Sequence, residues 1–367
     1  MRNILVIFGG ESVEHEVSVL TGLTTLNAVK GAGYNAVPVF VDKGGAWYTG
    51  DKLLDIETYK NFSDKGLKRV CLFTGDNSLY SIKGNKRKKL FEISTAINCM
   101  HGGFGEDGTI SAIFRSSQIP FASPNHLSSA VSLDKEYTKI FLKGIGVKSL
   151  PYASATDIYD LDKKVKNLNY PLIVKPSTLG SSIGIKKVDG EKGLSDGVLY
   201  GLRYADKVII EPFLDEFTEI NCAVYQSING VVVSEIEKPI KSGELLDFND
   251  KYISGEREFP AQIDIKLKNK IQNISKKIYL ALGFRGVIRI DFMIKDGEVF
   301  VCEINSVPGS LAYYLFGETT EDFSKVIKSV IDLAVKDFAR DKTLIKTFNS
   351  SLFNITGSKG QKRLKKS

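Results

Sequence analysis

An open α/β sheet at the front of the chain, followed by a mixed α+β remainder, is predicted by three patterns. The opening "NILVIFGG" is an unbroken apolar run ending in paired glycines, as expected of a parallel strand buried on both faces. "EHEVSVLTGLTTLNAVKGAGY" then carries helical periodicity with a glycine stop, and "NAVPVFV" returns as a second strand. This strand, turn, helix, strand order begins an open sheet, in which ligands gather at the carboxyl ends of the strands. Far downstream, "VIRIDFMI" and "EVFVCEI" joined by "KDGE" read as a hairpin, the mark of an antiparallel sheet.

Between these ends, Trp47 to Lys89 is polar and irregular, with hairpin strands expected at "RVCLF" and "LYSI". "ISTAINCM" is another apolar strand, and it delivers a second glycine-rich loop, "HGGFGEDGTI". From about Ser123 the pattern turns to helices and short strands, with "YPLIVKPSTLGSSIGIKKV" as two strands joined by a Gly-Ser loop. After "KVIIEPF" longer strands dominate, interrupted by a helix near Ile263 to Leu282. No internal repeat is present. The expected division is 1–124 as an N-terminal α/β unit, 125–210 as a central unit, 211–340 as a C-terminal unit and 341–367 as a basic, disordered tail.

The 367 residues, 43% of them hydrophobic, suffice for two or three packed domains and exclude general disorder. No run reaches the roughly 18 apolar residues of a membrane span, and the glycine pair in "MRNILVIFGG" comes too early for a signal peptide. A cytoplasmic protein without membrane insertion is expected. Cys71, Cys99, Cys222 and Cys302 are scattered in apolar runs, which suits buried thiols in a reducing compartment rather than disulfides or a zinc site. The formal charge of +7 falls to +2 without Lys359, Lys362, Arg363, Lys365 and Lys366 of the last eleven residues. The body is nearly balanced, so nucleic acid is not an expected partner.

In "EINSVPG", Glu303 and Asn305 are two apart and share a strand face, while Asp291 of "RID" lies on the partner strand. Three converging oxygen ligands with two carboxylates suit Mg²⁺ completed by water and phosphate; the same residues also suit a solvated hairpin. Lys175 ends "YPLIVK" just before a small-residue loop, an arrangement for phosphate oxygens that is equally an ordinary turn. Glu211 closes an apolar strand, with backbone running on through Leu214 and Glu219 beyond, where an adenine edge and ribose hydroxyls could be met. Glu14 and His101 lie in the two turns that face one crevice of the first sheet.

Taken together, "GGESVEHEVS", "HGGFGEDGTI", "SLDKEYTK", "IVKPSTLGSSIG", "DFNDKY", "RIDFM" and "EINSVPG" resemble the D-alanine–D-alanine ligase family of the ATP-grasp fold, over roughly residues 3 to 335. The resemblance implies a three-domain ATP-grasp fold behind an N-terminal open α/β domain. It implies that ATP phosphorylates one D-alanine and that the amine of a second attacks the acyl phosphate, for peptidoglycan precursor synthesis. Asp291, Glu303 and Asn305 would hold two Mg²⁺ ions, with Mn²⁺ a possible substitute. Lys135, Lys175, Ser182, Glu211, Phe213, Leu214, Glu219 and Met293 would contact the nucleotide. Glu14, linked with Ser181 and Tyr252, would hold the first ammonium, His101 would lie near its carboxylate, and Arg289 with the Gly309 N–H would form the oxyanion hole. Lys251 and Tyr252 belong to a loop resembling the family's mobile cover, and Ser310 and Tyr314 would border the second amino acid. The family is usually dimeric, so a homodimer is expected.

Two places depart from the family pattern. "SLAYYLF" puts Tyr314 where a serine is usual, which reshapes the acceptor pocket, and "ISAIFRSS" puts Arg115 where an acid is usual. The alternatives are therefore a ligase that joins D-alanine to D-serine, D-lactate or another acceptor, and a catalytically silent ATP-binding relative.

Overall fold

The computed structural model describes residues 1–240 and 256–350. Three sheets organise it. The first has seven strands in the order β6-β5-β4-β3-β2-β1-β7, formed by β1 (Asn3–Gly9), β2 (Asn35–Val41), β3 (Trp47–Thr49), β4 (Lys68–Phe73), β5 (Asp76–Lys83), β6 (Lys86–Glu92) and β7 (Thr95–Asn98). Only β1, β2 and β7 run parallel. The hairpin strands expected at "RVCLF" and "LYSI" are β4 and β5, but the stretch around them is not irregular: it is an antiparallel extension of this sheet, with the basic "KRKKLFE" as its outer strand, β6. Exposed lysines and arginine on that edge hid its strand character from an apolar count and blunt the edge against further pairing.

The apolar run of β1 is buried on both faces. Ile4, Val6 and Phe8 point to α1 (His15–Gly31) and α9 (Thr320–Lys342), while Leu5 and Ile7 meet α3 (Thr109–Ser116) on the other side. Gly22 lets α1 lie close on the strand: a Cβ there would come within 2.3 Å of the Phe8 ring. The short α2 (Glu57–Lys60) sits in the connection between β3 and β4.

The second sheet, β10-β9-β11-β8, comprises β8 (Ala153–Ala155), β9 (Leu172–Pro176), β10 (Lys186–Val188) and β11 (Val208–Pro212). It packs on α6 (Leu161–Val165) and α7 (Leu194–Gly201), and α4 (His126–Leu133) and α5 (Lys135–Gly144) lead into it. β11 runs through the expected division at 210, and α9 through that at 341.

The third sheet, β14-β13-β12-β15-β16, comprises β12 (Thr218–Ser227), β13 (Gly230–Pro239), β14 (Arg257–Glu258), β15 (Val287–Lys295) and β16 (Glu298–Asn305). Alternation sorts its faces. Ile288, Ile290 and Phe292 join Cys222, Val224 and Ile236 against α8 (Ile265–Ala281). Arg289, Asp291 and Met293 point the opposite way, in register with Asn221, Glu219, Glu303 and Asn305. The hairpin turn is built as expected, with Asp296 and Gly297 both at positive φ. Cys99 and Cys222 are buried, and all four cysteines are free thiols. Among the described residues no helix is long and apolar enough to cross a membrane.

Candidate active site

The polar face of the third sheet supplies the acidic cluster. Asp291 stands opposite Glu303 across the β15–β16 ladder, and Arg289 opposite Asn305. The Asn305 Nδ2 donates to Asp291 Oδ2 at 3.0 Å. Arg289 grips Asp291 through Nε at 2.7 Å and Nη2 at 2.9 Å. Although burial opposes its charge, Asp291 holds the guanidinium firmly protonated. Two of the donors expected at an oxyanion are thus spent on a carboxylate. Lys135 Nζ donates to Glu303 Oε1 at 3.1 Å and to the Leu179 carbonyl at 2.7 Å. An all-oxygen set whose two carboxylates attract an arginine and a lysine fits a hard divalent cation.

Local sequence explains Lys135. Asp134 caps α5, its Oδ1 accepting from Glu136 and Tyr137 N–H, and it also receives the Ser177 hydroxyl at 2.9 Å and Lys207 at 3.0 Å. That tether fixes the first turn of α5 against the loop after β9. Lys139, one helical turn on, faces the same way. It pairs with one oxygen of Glu211, while Lys175 Nζ donates to the other at 2.7 Å. Burial would raise the Glu211 carboxyl, but Lys175 and Lys139 hold it down to about 2. Both Glu211 oxygens are paired with lysines, so it orders two ammonium groups facing the cleft. Lys139 also lines the cleft and did not stand out in the sequence, although its spacing of four from Lys135 could have revealed it.

The cleft between the second and third sheets is lined by Lys135, Lys175, Ser181, Ser182, Glu211, Phe213, Leu214, Glu219, Asp291, Met293 and Glu303. Its free volume is about 110 Å³.

A second cavity of about 360 Å³ adjoins it and shares Gly180, Glu219 and Glu303. Glu14 lies at the start of α1, buried, and accepts a short hydrogen bond from the Ser181 hydroxyl. Ser181 and Ser182 adopt left-handed φ of +55° and +58°, which brings the Gly-Ser loop over Glu14. His101 is buried with Nε2 2.9 Å from the Thr21 hydroxyl. Burial, then the nearby Arg289 charge, pushes its imidazole down to about 3, so it is neutral. Thr21 Oγ1 also accepts the Ser310 N–H at 2.9 Å, coupling α1 to the Pro-Gly segment. Beside Gly309 the space is open: a Cβ would meet nothing within 4 Å. Ser310, Leu311 and Ala312 are all left-handed, at φ near +50°, and buried Leu311 and Ala312 anchor that turn.

The turn carries Tyr314 inward. Its hydroxyl donates to Glu237 Oε1 at 3.4 Å and accepts from Arg289 Nη1 at 3.4 Å, and the Arg257 guanidinium lies 4.4 Å over its ring. Glu106 also borders this cavity. Burial, then the charges of Glu14 and Glu303, pushes its carboxyl up to about 8. Neither Glu106, Glu237 nor Arg257 stood out in the sequence, because isolated charges in loops and strands look solvated. Every expected site residue that the structure describes lines one of the two cavities; Lys251 and Tyr252 lie outside the described residues. Arg115 sits on α3, away from both, as expected.

Comparisons with known proteins concern the chain as a whole. The family description "D-ala D-ala ligase N-terminus" matches residues 3–124, and "D-ala D-ala ligase C-terminus" matches 142–332. The chain is 36% identical to the D-alanine–D-alanine ligase of Thermosipho melanesiensis, over 94% of this chain and 96% of the relative. It is 35% identical to that of Campylobacter jejuni subsp. doylei, over 97% and 99%. Among solved structures, D-alanine–D-alanine ligase from Helicobacter pylori superposes with a TM-score of 0.76 at 29% identity, covering 90% of this chain and 98% of that one. VanG D-Ala:D-Ser ligase from Enterococcus faecalis follows at 0.74 and 26%, covering 92% and 99%. The three sheets are those of the ATP-grasp fold, and the chain belongs to the D-alanine–D-alanine ligase family.

Proposed function

We propose that the protein is an ATP-dependent ligase that joins two D-alanines through a D-alanyl phosphate, for peptidoglycan precursor synthesis in the cytoplasm. The observation that carries this reading is the junction of the two cavities at Gly180, Glu219 and Glu303. The lysine-lined cleft and the larger chamber share these residues as a common wall, which supports a nucleotide site next to an amino-acid site.

In this reading Glu14, oriented by Ser181, holds the ammonium of the first D-alanine; an ion pair at 4 Å is worth about 4 kcal/mol at an effective dielectric near 20, before desolvation. Neutral His101, fixed by Thr21, orients that substrate's carboxylate without competing for charge. Lys135, Lys139 and Lys175 set positive charge along the triphosphate, and Ser182, Phe213, Leu214, Glu219 and Met293 enclose the nucleotide. Asp291, Glu303 and Asn305 hold Mg²⁺, which when bound neutralises charge on the transferring phosphate. Arg289 and the Gly309 N–H stabilise the oxyanion as the second amine attacks, and Ser310 and Tyr314 border the acceptor. The three units and a homodimer complete the proposal.

The test is phosphate release from ATP and Mg²⁺ with D-alanine, with the product identified by mass. D-alanyl-D-alanine is the expected product. Preferential use of D-serine or D-lactate from a mixture would reassign the acceptor, and nucleotide binding without phosphate release would refute the ligase reading.

A further inference from the structure

The acceptor end of the larger cavity poses an electrostatic problem. Glu14, Glu219, Glu237 and Glu303 all line the chamber, yet an amino-acid acceptor must bring its own carboxylate into it. Carboxylates of substrate and protein repel, so a cation with unspent donors is required. His101 is neutral, and Arg289, which gives three of its five N–H groups to Asp291 and Tyr314, has the remaining two assigned to the oxyanion. Among the described residues lining the chamber, that leaves Arg257.

Arg257 is placed for the task by backbone and side chain alike. It pairs opposite Pro239 on β13, on the sheet face that carries Glu237 two residues earlier. Its Nη1 donates to Glu237 Oε2 at 3.2 Å, which tethers one corner of the guanidinium. The Tyr314 ring, 4.4 Å from Cζ, supports the group from below. Tyr314 and Asn221 both contact Glu237 Oε1, at 3.4 and 3.0 Å, so the tether is itself fixed. A guanidinium so held keeps further N–H groups in its fork, the geometry that matches a carboxylate. Its side chain is also about one-third exposed.

We propose that Arg257, tethered by Glu237 and supported on the Tyr314 ring, binds the carboxylate of the acceptor amino acid and makes a free carboxylate a requirement for the acceptor. The assignment rests on the ligase reading above. It gives the phenol at 314 a purpose: a serine hydroxyl could offer one hydrogen bond but no platform for a cation.

The test offers D-alanine and D-alaninamide together, with ATP and Mg²⁺, and measures the ratio of dipeptide to dipeptide amide by mass. That ratio compares acceptors within one population of active enzyme, so a loss of folded protein does not move it. The wild type is expected to favour D-alanine on the order of 10²-fold, the scale of a charge-assisted bidentate contact. Arg257→Gln, which can still hydrogen-bond Glu237, is expected to reduce the preference to within a few fold and to raise the acceptor KM about 10²-fold. The donor KM should stay within about twofold, and Arg257→Lys, which keeps the charge without the fork, should fall between. An unchanged ratio in Arg257→Gln, or equal losses with both acceptors, would overturn the assignment while leaving the ligase reading intact. Failure of the wild type to form any dipeptide would overturn both.

Discussion

Replacing Glu211 by Gln is expected to destabilise the protein by about 3 kcal/mol at pH 7. Glu211 is 4% exposed and lies between Lys139 and Lys175, whose side chains are 5% and 13% exposed. Gln keeps the shape but leaves two buried ammonium groups without an anion, a situation that typically costs about 3–5 kcal/mol. The carboxyl offers a second route to the magnitude: holding it at about 2 rather than at its ordinary 4.5 corresponds to about 3 kcal/mol. The folded value lies below the unfolded one, so this stabilisation is complete above about pH 4.5 and is lost as the pH falls toward about 2. Thermal unfolding without nucleotide, followed by circular dichroism, is the assay. At about 2–4 °C per kcal/mol, the scale for domains of about 150–250 residues, the variant should melt roughly 6–12 °C lower at pH 7. The gap should narrow as the pH is lowered from 4.5 toward 2. A variant melting within about 1 °C of the wild type at pH 7, or a gap independent of pH, would refute the view that Glu211 is held by two buried lysines.

Three further outcomes are expected. Glu14→Gln should lower kcat/KM for the donor D-alanine by at least about 10-fold through the lost charge-assisted contact, read as phosphate release; unaltered kinetics would remove Glu14 from the donor site. Glu106 is held protonated, with its folded value near 8 above the unfolded one, so it favours folding below about pH 4.5 and that advantage is lost as the pH rises through 8. Glu106→Gln should therefore be more stable than the metal-free wild type at pH 9 and similar at pH 5, as chemical denaturation at the two pH values would report. Gly22→Ala places a methyl within 2.3 Å of Phe8 and should cost about 1–3 kcal/mol of stability; a neutral urea midpoint would mean that α1 shifts freely on its sheet.

Much of the site could be read in the sequence because strand alternation is rigid. In "VIRIDFM" the polar Arg289 and Asp291 alternate with Ile288, Ile290 and Phe292, and the pleat must send the two sets to opposite faces. The same rule put Glu303 and Asn305 together, and the antiparallel hairpin brought them across to Asp291. β6 was not legible, since its pairing with β5 rests on backbone hydrogen bonds and its side chains are those of a solvated edge.

What the sequence alone determined was the family, the order of the strands that bear the acidic and phosphate-facing groups, and the residues that could form the chamber, because each follows from local period and motif. What only the tertiary structure decided was which charges meet. Lys139 and Lys175 are 36 positions apart along the chain but close on one carboxylate, and Arg257 reaches Tyr314 only because three left-handed residues turn the segment after Pro308 inward. Coulomb energy depends on distance through the fold, and a linear order of residues contains no such distance.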